Sequence, residues 1–174
     1  MNILVCIKQV PDTTEIKIDP VKHTLIREGV PSIVNPFDAC ALEMAVRLKE
    51  KEGGKVIVIS MGPAQAKNAL KECLAVGADQ AFLVTDRAFG GSDTLATSYI
   101  LSRAIAAVEA KTGEKFDLIF CGKQAIDGDT AQVGPEIAEH MDLPHVTLAT
   151  AVEMADGKLH VTRDTDEGHD LVEV

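Results

Sequence analysis

The sequence predicts an α/β protein: a three-layer α/β/α sandwich on a mainly parallel sheet, ending in a C-terminal antiparallel hairpin. Three observations point there. Short apolar, β-branched runs recur as far as Cys121, each adjoining a stretch with helical spacing. Those stretches open and close at helix start and stop signals, so they read as crossovers, and steady strand–helix alternation makes the sheet parallel and covered on both faces. After Pro144 the period changes to simple alternation, which marks an antiparallel ending.

Taken in order, Ile3 to Ile7 is the first buried strand. Gln9 to Val34 follows, broken by Pro, Asp and Gly, with only short apolar pieces such as Ile16 and Ile18; so long an excursion is often functional. Asn35-Pro36 opens a helix, because Asn caps free amides and Pro fits the first helical position. Phe37, Ala41, Met44, Ala45 and Leu48 form its inner face, and Gly53-Gly54 stops it. Val56 to Ser60 is the second strand. The next helix begins at Gly62-Pro63, turns Ala66, Leu70, Cys73 and Leu74 inward, and ends at Gly77. Ala81 to Val84 is the third strand, followed by a helix that opens at Asp93-Thr94, buries Leu101, Ala104, Ile105 and Val108, and ends near Gly113. Leu118 to Cys121 is the fourth strand, and a fourth helix starts between Thr130 and Pro135. Val146 to Met154 and Lys158 to Thr162 alternate and are joined by Asp156-Gly157, a hairpin turn signal. The acidic tail of Asp164, Asp166, Glu167, His169 and Asp170 reads as a solvated turn.

The 174 residues read as one domain, 1–174, able to bury a core without disulfides or metal staples. Aromatics are only 3% and Trp is absent, so aliphatic side chains must build that core. A net charge of −10 repels nucleic-acid phosphates and anionic headgroups, which disfavours nucleic acid and membrane surfaces as partners while leaving room for one local phosphate pocket. Cys6, Cys40, Cys73 and Cys121 show no C-x-x-C spacing, and no secretory leader, transit segment or membrane-length apolar run is visible, so the reading is a soluble, unprocessed, cytoplasmic protein. Asp127-Gly128-Asp129 lacks the other ligands of a calcium loop and the five His show no ligand spacing, so no metal is expected. No Ser/His/Asp or Cys/His pairing demands a nucleophile, and no catalytic residue is assigned.

In open α/β sheets ligands sit beyond the carboxyl ends of the strands. After the fourth strand come Gly122, Lys123, Gln124, Ala125, Ile126, Asp127, Gly128, Asp129, Thr130, Ala131, Gln132 and Val133, leading into a helix N-terminus at Gly134-Pro135. Free amides there, with about half a positive charge, suit a phosphate, and the glycines allow close backbone approach. Lys123 offers mobile positive charge. The same string also reads as an Asp/Gly-rich turn with a capping Thr. Ala88 to Ser98 holds a second such loop, in which Gly90, Gly91, Asp93 and Thr94 feed a helix and offer a second phosphate cradle, with Thr97 one turn on. Its plainer reading is a flexible loop capped by Asp93.

Gly122 to Val133, Asn35-Pro36-Phe37 and Ser60-Met61-Gly62-Pro63-Ala64-Gln65, taken together, resemble the electron transfer flavoprotein β subunit. The likeness begins at Val5 to Val10, a V-x-(V/I)-K-x-V start, and runs to Val161-Thr162-Arg163 with Asp166 and Gly168, covering essentially the whole chain. It implies a Rossmann-like, adenine-nucleotide-hydrolase-like sandwich with AMP, or the AMP half of FAD, across the strand ends. Cys6, Asn35, Pro36, Phe37, Asp38, Met61 and Gly122 to Val133 are the binding residues so implied, with Cys6 and Met61 as soft apolar contacts to adenine; core packing is the alternative for both. The Gly-Gly-x-Asp-Thr loop resembles the electron-bifurcating, NADH-linked branch, which favours FAD over AMP and adds Asp93, Thr94 and Thr97 to the cofactor set. That branch implies an α-subunit partner, NADH as electron donor, and redox partners such as an acyl-CoA dehydrogenase and ferredoxin or flavodoxin. It also implies a C-terminal arm beyond residue 174, which this chain is expected to lack.

Two other classes compete. Gly90-Gly91-Ser92-Asp93-Thr94 faintly resembles the pyrophosphate loop of ATP-splitting amidating or thiolating enzymes, but that loop normally follows the first strand and here follows the third. A stand-alone, stress-type ATP-binding module shares the architecture and predicts a homodimer without flavin.

Overall fold

A computed structural model describes residues 1–12 and 31–174. The elements are β1 (Asn2–Cys6), β2 (Gln9–Pro11), β3 (Ser32–Val34), α1 (Pro36–Glu52), β4 (Lys55–Met61), α2 (Lys67–Val76), β5 (Gln80–Val84), α3 (Thr94–Thr112), β6 (Leu118–Cys121), α4 (Val133–Met141), β7 (Ala149–Ala155), β8 (Lys158–Thr165) and β9 (Gly168–Glu173). The four predicted parallel strands and four helices are all present.

β1, β4, β5 and β6 form one sheet in the order β5-β4-β1-β6, all neighbours parallel. Period-two alternation sorts the sheet's side chains between two cores. Ile3, Val5, Val56 and Val58 pack with Ala41, Leu42, Ala45 and Leu48 of α1 and Leu70 and Cys73 of α2. Leu4, Cys6, Ile57 and Ile59 point the other way, against Leu101, Ile105 and Val108 of α3 and Ile137 of α4. Each such buried Ile, Leu or Val contributes about 1.5–3 kcal/mol relative to exposure, so both faces of the sheet hold the layers together.

The order also locates the site. The chain steps outward from β1 through β4 to β5, then returns across the sheet to place β6 on the free side of β1. Strand order reverses between β1 and β6, and at such a switch point the crossovers diverge and leave a crevice at the carboxyl ends. Cys6 and Cys121 are register partners at that edge.

The helix faces differ in detail from the sequence reading. In α1, Leu42 and Val46 are buried beside the expected Ala41, Ala45 and Leu48, while Phe37 and Met44 are only half-buried. In α2, Leu74 is 41% exposed, because Ala66, Ala69, Leu70 and Cys73 already complete the i, i+3, i+4, i+7 stripe and Leu74 falls one position beyond it.

The C-terminal hairpin of β7 and β8 forms as read, with the turn at Asp156-Gly157, and its Val152, Met154 and Leu159 lie against the core on the α1 side. The acidic tail is more than a turn: after Asp166-Glu167 the chain returns as β9, antiparallel to β8 from Thr165↔Gly168 to His160↔Glu173. Backbone pairing makes this strand despite its charge, helped by the exposed Lys158–Glu173 pair at 2.5 Å and His169–Asp164 at 2.7 Å. Of the excursion Gln9 to Val34, the two ends pair as β2 and β3; Ile16 and Ile18 lie outside the described residues.

Candidate functional site

The crevice between β1 and β6 is built from three turns. After β1 the chain turns at Ile7-Lys8; before α1 it passes Asn35; after β6 it enters the loop Gly122 to Gln132. Lys8 joins the first two through its backbone, its carbonyl accepting from Asn35 N at 2.9 Å.

Asn35 behaves differently from the sequence reading. Its side chain makes no cap on α1. Instead Nδ2 donates to the Gln124 carbonyl at 2.8 Å and Oδ1 accepts from Ile126 N at 3.2 Å, a two-point tether on the far loop. With Pro36 at the first helical position one orphan amide does not exist, and the Asn35 carbonyl takes Asp38 N and Ala39 N, so the helix begins without the side chain.

Asp38 is buried at 6% exposure, beneath the same junction. Its Oδ2 accepts from Lys8 N at 2.7 Å. Burial pushes its carboxyl up to about 6, against the lowering pull of hydrogen bonds from the Lys8 amide, the Asn35 side chain and the Gly122 amide. Gly122 passes so close that a Cβ there would stand 2.2 Å from Asp38 Oδ1 and 2.7 Å from Asp38 N. Only a glycine lets β6 hand over to its loop against the start of α1.

Beyond Gly122 the loop is internally ordered. Ala125 O accepts from Gly128 N at 3.2 Å and Asp129 N at 2.9 Å, and Gln124 Nε2 donates to Asp129 Oδ1 at 2.7 Å. Asp129 and Ala131 take left-handed backbone, φ 48° and 53°, which rotates successive peptide groups before α4. Gln132 stands at the α4 N-cap and makes no side-chain cap, so the alternative of a turn closed by a capping Thr is not what forms here. Lys123 is exposed, and Asp127 meets Lys8 Nζ at 2.5 Å.

The second loop lies beside the first. Thr94 Oγ1 at the start of α3 stands 3.1 Å from Glu136 Oε1 and 3.4 Å from Gln132 Oε1 at the start of α4. The two helix N-termini are thus neighbours, with Glu136 Oε2 buried and unpartnered among the described residues. Asp93 caps its own helix, accepting from Ala96 N at 2.8 Å, and Thr97 is half-buried with its amide on Asp93 O at 3.0 Å.

Of the remaining predicted residues, Cys6 is buried at the end of β1, where its hydrogen-bonded neighbour Cys121 and then burial push its thiol up, so it serves as soft packing surface and not as a nucleophile. Met61 is half-buried at the end of β4, on the opposite side of β1 from β6. Among the described residues no cluster of three His, Cys, Asp or Glu side chains has the arrangement of a metal site, and no helix is long and apolar enough to cross a membrane. Two shallow hollows elsewhere, one lined by Ala106, Glu109 and Gly113, the other by Met1, Leu118 and Leu159, share no residue with the predicted set.

The structure therefore brings Asn35, Asp38, Gly122 to Gln132, Asp93 and Thr94 to one end of the sheet. It adds Lys8 and Glu136, which sequence reasoning passed over. Lys8 had a signal, since it follows the first strand's carboxyl end within the Val5 to Val10 run; Glu136 lies in an ordinary amphipathic first turn and had none.

Comparison with known proteins shows the family to which the chain belongs. The family described as Electron transfer flavoprotein domain matches residues 22–174. The chain is 60% identical to Electron transfer flavoprotein subunit beta of Thermoanaerobacterium thermosaccharolyticum, over 100% of this chain and 65% of that protein. It is 54% identical to Caffeyl-CoA reductase-Etf complex subunit CarD of Acetobacterium woodii, over 100% of this chain and 65% of that protein. It is 52% identical to Protein FixA of Azotobacter vinelandii, over 99% and 62% respectively. The chain thus spans a little under two-thirds of the length of these relatives.

Proposed function

Because this chain belongs to the electron transfer flavoprotein family and aligns along its length with β subunits, we propose that it is the nucleotide-binding half of such a carrier, joined to an α subunit and holding the adenylate part of FAD. The observation that carries the FAD reading is the pairing of two glycine-bearing turns, linked by Thr94 to Glu136 at 3.1 Å, which offers adjacent sites for the two phosphates of a dinucleotide.

The residues present fit the group. The α4 N-terminus has no side-chain cap, so its amides are free for a phosphate, and the absence of a Cβ at Gly122 lets the loop leading to them pack directly against the start of α1. Asn35 and Asp38 fix the loop so that those amides are oriented before a ligand arrives. Cys6 and Met61 supply polarisable apolar surface for the adenine. FAD bound there would supply hydride acceptance from NADH and one-electron release to separate acceptors; the chain's own work is binding, orientation and exclusion of water.

Bifurcation to high- and low-potential acceptors is part of the proposal. It is supported by the Gly90-Gly91-Ser92-Asp93-Thr94 loop and by relatives among which one is named as part of a caffeyl-CoA reductase complex. The corresponding acceptors here are an acyl-CoA dehydrogenase and ferredoxin or flavodoxin, in the cytoplasm. One observation favours the second reading, in which the site keeps structural AMP alone: Asp93 already places a carboxylate against Ala96 N at 2.8 Å, where a second phosphate would meet it.

Co-expression with the α subunit decides between them. Two FAD per heterodimer and rapid bleaching by NADH are the expected result; one FAD plus one AMP, with no response to NADH, overturns the FAD reading and leaves the family intact.

A further inference from the structure

We propose that Lys8 belongs to the nucleotide site as its charge-compensating residue: by pairing with Asp127 it lets an acidic loop accept an anionic phosphate. The inference deepens the adenylate reading and rests on it.

The loop that presents amides to a phosphate carries two carboxylates, Asp127 and Asp129, in a protein whose net charge is −10. Unopposed, both repel the ligand. The structure gives each a partner: Asp129 Oδ1 takes the neutral Gln124 amide at 2.7 Å, while Asp127 Oδ1 takes Lys8 Nζ at 2.5 Å. Only Lys8 brings a compensating charge. Its position is not left to the side chain, because its amide donates to Asp38 at 2.7 Å and its carbonyl accepts from Asn35 N at 2.9 Å. The stem therefore leaves a fixed backbone at the carboxyl end of β1 and crosses the crevice to the middle of the loop, 119 residues away in sequence.

The side chains of Lys8 and Asp127 are 49% and 28% exposed, so the pair adds little to folding and its effect belongs to ligand affinity. Lys123 lies in the same loop but is exposed, with no ion pair among the described residues, so it leaves the charge of Asp127 to Lys8.

The test is titration calorimetry of the full chain with AMP and with adenosine, which lacks the phosphate. Lys8→Met is expected to weaken AMP about 10-fold, the scale of one unit charge acting over several ångströms at intermediate screening. Adenosine binding and the melting temperature should hardly move. Lys8→Arg should retain AMP, and Asp127→Asn on the Lys8→Met background should recover most of the loss. Equal weakening of AMP and adenosine overturns the proposal, since that is loss of loop order. If the unaltered chain binds neither AMP nor adenosine, the adenylate reading has failed and Lys8 with it. Normal wild-type binding with an unchanged AMP-to-adenosine ratio in Lys8→Met sinks the Lys8 assignment alone.

Discussion

The two glycine-bearing turns stand side by side but are ordered by opposite means. The turn before α3 closes on itself: Ala88 N bonds Asp86, Ser92 Oγ bonds the Phe89 carbonyl and Asp93 caps Ala96, none reaching more than three residues. The turn before α4 is held from outside, by Asn35 from 89 and 91 residues away and by Lys8 from 119. The difference decides what each turn can receive. A self-capped turn has already given a helix amide to its own carboxylate, whereas a turn ordered by distant residues keeps its helix amides uncapped. On the proposed reading the α4 turn is therefore the primary anion cradle, and the α3 turn an accessory that a ligand would enter beside Asp93.

The largest effect should come from cutting the outer support at its tightest point. In Gly122→Ala the added methyl meets backbone and carboxylate of Asp38 at 2.7 and 2.2 Å, and neither can retreat without moving α1. A destabilisation at or beyond the upper end of about 1–3 kcal/mol is expected, with adenylate binding lost, read by urea unfolding and calorimetry. Gly91→Ala is the matched control: φ is +82° but nothing lies within 4 Å, so only backbone strain of about 1–2 kcal/mol applies. Equal losses in the two variants would abolish the distinction between the turns.

Next in size is the pH response of Asp38, which lies in α1 beneath the supported turn. Its carboxyl rises from 3.8 to about 6 in the folded protein. A group raised on folding contributes fully below its unfolded value and loses that contribution as pH rises through the folded one, so stability should decline between about pH 4 and pH 6 by up to about 3 kcal/mol. Asp38→Asn cannot ionise and should remove this component. Urea midpoints of both proteins at pH 4 and pH 7.5 check it: the difference between them must change with pH, and a constant difference refutes the assignment.

How much of this was legible follows from which bonds are local. Strands such as Val56 to Ser60 and the α3 turn with its Asp93 cap were readable, because periodicity and capping act over a few residues. Gly122 to Val133 was legible as a loop of interest, but its support was not. Asn35 looked like a helix cap, since nothing in the sequence says that its amide will face Gln124 and Ile126 rather than its own helix. Leu74 was misplaced by one step of a helical stripe, and β9 was hidden because its pairing is backbone to backbone while its side chains look like a solvated tail.

A smaller effect should follow Asn35→Ala, which separates the two roles proposed for that residue. It leaves the Gln124 carbonyl and Ile126 amide without their partners, at a cost of about 1–3 kcal/mol. Hydrogen exchange should quicken in residues 124–129 while the first turn of α1 stays protected. The reverse pattern would restore Asn35 to capping and weaken the idea that the loop is held from outside.

The smallest effect tests the self-contained turn. Asp93→Ala removes an N-cap, worth about 1 kcal/mol, and because the bond is local the damage should stop at the first turn of α3. Exchange of the Ala96 amide should quicken, with Gln124 to Asp129 unchanged. The contact between the turns that would spread the change is the Thr94 hydroxyl, 3.1 Å from Glu136 Oε1 and 3.4 Å from Gln132 Oε1, a single donor shared between them. Two helices packed by Leu101, Ile105 and Ile137 against the sheet do not depend on it. Loosening of the α4 turn in Asp93→Ala would mean that Thr94 transmits order between the cradles, and that they act as one site and not as a primary and an accessory.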